Sequence, residues 1–139
     1  MILKHSKTKW IELNDKGLKL LIDYPTIQQA EKLKELMFEM AFINPEIAGG
    51  EHKDLTAEES ARMAILIEKI AKYRVKFCVK DWEGVTTEDE KPAKIRLINN
   101  EIDNKQFEPF VRCFNYEEII LLSRMIEQET EFNEADKKK

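Results

Sequence analysis

The chain has 139 residues, 36% of them charged and 42% hydrophobic, and 23 Lys and Arg stand against 27 Asp and Glu for a net charge of −4. A chain of this length buries about 68% of the surface that its unfolded form exposes, so it holds a core without disulfides or metals. Cys78 and Cys113 form no Cys-x-x-Cys pair, and the longest apolar run, residues 63–67, is fenced by Arg62 and Glu68, far short of the ~20 residues of a membrane span. Lys4, Lys7 and Lys9 open the chain with no apolar stretch behind them, which reads against a secretory signal. The expectation is one domain in a reducing, cytoplasmic setting, with no membrane contact and free cysteines.

Trp10, Ile11 and Leu13 form one short apolar run and Leu18, Leu20, Leu21 and Ile22 another, separated by Asn14, Asp15, Lys16 and Gly17. This predicts a β-hairpin, because Asn and Asp side chains bond nearby backbone in turns and glycine takes the left-handed conformation that closes a short loop. Thr26 and Gln29 have capping-box spacing, and Ile27, Ala30, Leu33, Leu36, Met37, Met40 and Ala41 follow in steps that suit a helix. Asn44 and Pro45 end it, and residues 48–54 form a loop. A second box, Thr56 and Glu59, opens a helix whose wide apolar face, from Met63 to Ile70, marks it as central. From Arg74 two readings stand: a strand, since Val75, Phe77 and Val79 alternate with other residues, or continuation of the helix to about Phe77.

Residues 82–92 read as a polar loop, and Ala93, Ile95 and Leu97 alternating with Lys94 and Arg96 predict a returning strand. Asp103 with Gln106, and Asn115 with Glu118, bracket two further helix starts, so two antiparallel helices close the fold. The whole predicts a single α+β domain over residues 1–132, with short β-hairpins and about four α-helices. Residues 133–139 read as a disordered charged tail.

Chemistry is harder to find. Nucleophilic catalysis needs a base beside the nucleophile, and His5 and His52 both fall in segments that read as surface. Glu51, His52 and Asp54 lack the soft ligands that zinc takes, so no metal or other cofactor is expected. Glu88, Asp89 and Glu90 have no apolar neighbours to raise a pKa for general acid work, and the four glycines build no phosphate loop. Lys4, Lys7, Lys9, Lys16 and Lys19 make the start basic, but the overall charge opposes phosphate attraction, so no nucleic acid is expected. Phe107, Phe110 and Phe114 lie at helical spacing, with Phe38, Phe42 and Trp82 adding to the aromatic supply. Two readings stand for these: core packing, or an exposed subset that anchors a partner.

Residues 73–85, from Tyr73 through Trp82, Gly84 and Val85, followed by an acidic turn and Pro92, resemble a segment of small phage and prophage tail assembly chaperones. In that family an apolar helix leads to Trp-x-Gly-Val, an acidic turn, a proline and a strand, and Glu90 stands where the turn has glycine. The resemblance implies a non-enzymatic protein of the bacterial host cytoplasm that binds the tape measure protein during tail morphogenesis. It brings no catalytic residues and no transferable site, so Trp82, Phe107, Phe110 and Phe114 are the candidate partner-binding residues, and a homo-oligomer is a further expectation. A structural tail or head-completion protein of a phage, a small protein-binding module and an uncharacterised small enzyme are the other readings. The resemblance also implies a longer frameshifted product, to which the run Lys137, Lys138, Lys139 suits a slippery string of adenines; the alternative is a lysine-rich tail that only aids solubility.

Overall fold

Two short strands begin the fold because their apolar residues alternate. β1 (Lys9–Leu13) and β2 (Leu18–Ile22) pair antiparallel, with Ile11 opposite Leu20 and Trp10 opposite Leu21. One face buries Ile11, Leu18, Leu20 and Ile22 and the other exposes Trp10, Glu12 and Lys19. The predicted turn closes through a single 3-10 turn at Asn14–Lys16, after which Gly17, at φ 63°, donates its N–H to the Asn14 carbonyl at 3.2 Å. This computed structural model describes residues 8–43 and 55–137, with side chains as far as residue 130. The expectations for His5, Asn44 and Pro45, the loop at 48–54, and Glu51, His52 and Asp54 lie outside the described residues.

α1 (Ile27–Ala41) and α2 (Ala57–Cys78) start as the capping boxes predict. The Thr26 and Thr56 hydroxyls each accept an N–H three residues on at 3.1 Å, from Gln29 and Glu59, whose side chains accept the Thr N–H at 2.9 Å. α2 does not become a strand at Arg74. It runs to Cys78, and β3 (Val79–Glu83) follows at once. The alternation of Val75, Phe77 and Val79 misleads because the end of α2 is buried around most of its circumference, with Arg74, Val75, Phe77 and Cys78 all inside. β3 pairs antiparallel with β2, Leu20 facing Trp82, in the order β1-β2-β3.

The predicted strand at 93–97 is likewise absent. Thr86 and Pro92 form an isolated bridge, Ala93 donates its N–H to Val85 at 2.9 Å, and Gln106 clamps the chain beyond, accepting the Arg96 N–H at 2.6 Å and donating to the Lys94 carbonyl at 2.8 Å. Gln106 is thereby taken from the capping box expected with Asp103. In place of the long strand, β4 (Leu97–Ile98) and β5 (Glu101–Ile102) form a minimal hairpin. Its two turn residues, Asn99 and Asn100, have φ of 54° and 63°, the pair of left-handed residues that a tight hairpin turn requires and asparagine tolerates.

α3 (Asn104–Val111) is short, and α4 (Tyr116–Lys137) opens with reciprocal bonds between Asn115 and Glu118 at 2.8 and 2.9 Å. α4 extends past residue 132, where the composition predicts a tail, and it packs along α2 rather than against α3. α2 is therefore central, flanked by α1 and α4 and capped by both sheets. The described residues form four helices and two small antiparallel sheets, an α+β domain. Among them no helix is long and apolar enough to cross a membrane.

Candidate partner-binding site

The segment that carries the family resemblance folds as one interlocked unit. Trp82, 6% exposed, donates its indole N–H to the Ala93 carbonyl at 2.7 Å and stacks on Phe110 with ring centroids 5.1 Å apart. Two residues on, Gly84 has φ of 93°, and a Cβ there would lie 2.1 Å from the Gly17 carbonyl oxygen. The β1–β2 turn thus rests directly on Gly84, an approach that only glycine permits. The acidic turn folds back through bonds from the Thr87 N–H to the Lys91 carbonyl at 2.8 Å and from the Glu90 N–H to the Thr87 carbonyl at 3.0 Å. Glu90, where the family turn has glycine, is left-handed at φ 60°.

Of the four candidate partner residues, Trp82, Phe107 and Phe110 are buried and Phe114 is half-buried. Trp82, Phe110 and Phe114 meet as one aromatic group, since Phe110 also meets Phe114 edge-on at 5.2 Å, while Lys76 stands 5.8 Å from the Phe107 ring centroid. In this structure they serve the core, the first of the two readings, and only their rims reach the surface. There Trp82 and Phe110, but not Phe107 or Phe114, line a cleft of about 600 Å³ together with Lys16, Leu18, Val85, Thr87, Lys105 and Cys113. A second cleft of about 580 Å³ lies along β3 and residues 92–95. Both sizes fall in the range that accommodates a ligand or a short peptide segment.

The charges at the first cleft are partly committed. Lys16 donates to the Cys113 carbonyl at 2.9 Å, pairs with Glu118 at 3.0 Å, and stands 5.2 Å from the Phe114 ring centroid. The Glu118 carboxyl is held below its ordinary value, first by the backbone N–H of Asn115 and then by Lys16. Cys113 is exposed, whereas burial pushes the Cys78 thiol up to about 12. Beyond the cleft, the one buried cation among the described residues is anchored: Arg74 donates to Ser123 at 2.9 Å and to Glu127 at 3.3 Å, tying α2 to α4. Among the described residues no group of three or more His, Cys, Asp or Glu is arranged to hold a metal ion.

A second surface is exposed, and sequence reasoning does not single out its position. Phe38 and Phe42, one turn apart on α1 with rings 4.8 Å apart edge-on, are 66% and 65% exposed, and Ile65 on α2 is 65% exposed. Core packing, the first of the two readings, does not hold for either phenylalanine. The signal against it is positional, because they fall off the stripe of Leu33, Leu36 and Met40 that α1 turns inward. No protein-family model, no curated protein and no solved structure matches this chain.

Proposed function

We propose that this chain is an assembly chaperone of the phage-tail kind, binding the tape measure protein in the host cytoplasm and keeping it soluble until the tail forms around it. The observation that supports this reading is the conformation of residues 82–92. The tryptophan is locked, Gly84 is required by contact with Gly17, and Glu90 occupies a left-handed position of the sort glycine fills. A motif resting on such constraints is a structural unit of this chain, and that unit coincides with the segment that carries the resemblance. The chemistry of the reading is protein binding and needs no cofactor. The cleft over the aromatic group, with Lys105 and Thr87 at its rim, is the place on this unit where an extended segment of the partner fits.

Co-expression with the tape measure protein encoded in the same genome tests the reading. The expected result is a soluble complex, with the tape measure protein insoluble when expressed alone, and no copy of this chain in mass spectra of purified virions. A tape measure protein equally soluble by itself overturns the chaperone role. Retention of the chain in virions instead makes it a structural tail or head-completion protein.

A further inference from the structure

Exposed phenylalanines on a helix pair need a covering, and their neighbours indicate its nature. Lys32 of α1 lies over the Tyr73 ring of α2 at 5.7 Å. Lys32 is near the start of its helix and Tyr73 near the end of its own, so the helices run antiparallel. The contact also fixes which flanks adjoin. Along α1, Lys32, Glu35, Glu39 and Phe42 follow in steps of three and four, and along α2, Ile65, Lys69 and Tyr73 follow in steps of four, so each set shares one side of its helix. Phe42, Phe38 beside it, and Ile65 therefore border the same outer seam.

Level by level, the seam divides in two. Toward the ends joined by residues 42–56 it is mostly apolar, with Phe38 on α1, Phe42 capping it and Ile65 on α2, and Glu39 between the two phenylalanines. Toward the other end it is charged: Glu31 and Glu35 flank Lys32 on α1, Lys32 being engaged with the Tyr73 ring, and Lys69 and Lys72 stand on α2. Among the described residues Glu31, Glu35 and Lys69 make no ion pair, while Lys72 reaches only Glu68 on its own helix, at 2.9 Å. Rotation by 180° about an axis parallel to the seam preserves the level of every residue and sets α1 of one copy against α2 of the other. Phe38 and Phe42 then meet Ile65 of the second copy, and Glu31 and Glu35 meet its Lys69 and Lys72, twice over by symmetry. This is the self-complementarity that an isologous interface requires.

We propose that a second copy of this chain covers the outer α1–α2 face, giving a two-fold symmetric four-helix bundle. A face about 22 Å long and about 20 Å wide, two helices across, has a projected area of about 450 Å², below the ~800 Å² per partner of stable complexes and suited to a weak, reversible dimer. The dimer is independent of the assembly reading and stands if that reading fails.

Sedimentation equilibrium of the full chain from about 1 to 100 μM tests it. The expected result is a monomer–dimer equilibrium within that range, displaced to monomer by Phe38→Asp with Phe42→Asp while circular dichroism stays unchanged. Glu35→Lys alone and Lys69→Glu alone each weaken the dimer about tenfold, and together they restore it. Because both sites are exposed, these variants keep the fold. A wild type that stays monomeric at 100 μM overturns the proposal and leaves a different protein as the occupant. A dimer indifferent to the paired phenylalanine change, or charge reversals that fail to rescue each other, overturns it too.

Discussion

Gly84 shows how much one missing methyl group decides. Its Cβ position lies 2.1 Å from a backbone oxygen of Gly17, and backbone cannot swing aside as the end of a long side chain does. Gly84→Ala must therefore move the β1–β2 turn or β3, besides placing a side chain at φ 93°, and we expect a loss of about 2–4 kcal/mol, read from the midpoint of denaturant unfolding. Glu90 has the opposite sign. It already bears the left-handed penalty in an exposed turn, so Glu90→Gly is expected to stabilise by about 0.5–1 kcal/mol after the extra chain entropy of glycine is set against the relieved strain. Trp82→Ala loses an indole stacked on Phe110 and its bond to Ala93, an expected cost of about 3–5 kcal/mol. A melting temperature unchanged by that substitution refutes the structural role given to Trp82.

Among the helices, the two capping boxes look alike in sequence and differ in consequence. Thr56 and Glu59 satisfy only the start of α2, so Thr56→Ala is expected to cost about 1 kcal/mol. Gln29 does more than cap, because its amide nitrogen also donates to the Asn100 carbonyl at 3.0 Å, tying the start of α1 to the β4–β5 hairpin. Gln29 is buried as well. Gln29→Ala therefore loses a cap and one of the two donors to the Asn100 carbonyl, which keeps its bond from Lys80, and its expected cost, about 2 kcal/mol, exceeds that of Glu59→Ala. Equal costs in chemical denaturation show that the tie to Asn100 contributes nothing. Helix starts marked by such local chemistry are legible in the sequence. The end of α2, at Cys78, is legible only as one of two readings, continuation to about Phe77 against a strand from Arg74, because a helix buried on most sides displays no clean period.

For the molecule as a whole, the buried thiol makes a pH signature. Cys78 titrates at about 12 in the folded chain against an ordinary 9.0, so between those values the unfolded state loses its proton first. The unfolded chain then holds fewer protons than the native one, and stability falls as pH rises through this window. Lys80 acts the other way. Burial lowers its pKa below 10.5, which favours the native state as pH climbs toward that value. The expected net result is greater alkaline lability in the wild type than in Cys78→Ala across the window from 9.0 to about 12, measured as the slope of melting temperature against pH; parallel slopes refute it. The same burial separates the thiols chemically. A disulfide reagent at neutral pH is expected to modify Cys113 at once and Cys78 only on unfolding, so two fast thiols in the native protein contradict the core placement of Cys78.

Features written within a few residues could be read before any fold was known: the Asn14–Gly17 turn and the helix starts at Thr26, Thr56 and Asn115, whose order already implied an α+β domain. Each rests on interactions between neighbours in the chain, whose spacing is visible in the sequence alone. The placement of the aromatic residues was settled by packing between distant segments. Trp82, Phe107 and Phe110 turn inward because α3 folds back over β3 and Gln106 holds the connecting chain. Phe38 and Phe42 stay outside because the core reaches α1 from one side only, through Leu33 and Leu36. A phenylalanine at helical spacing has the same local preferences in either place. Whether it is core or contact surface depends on what packs opposite it, and that is a property of segments far apart along the chain.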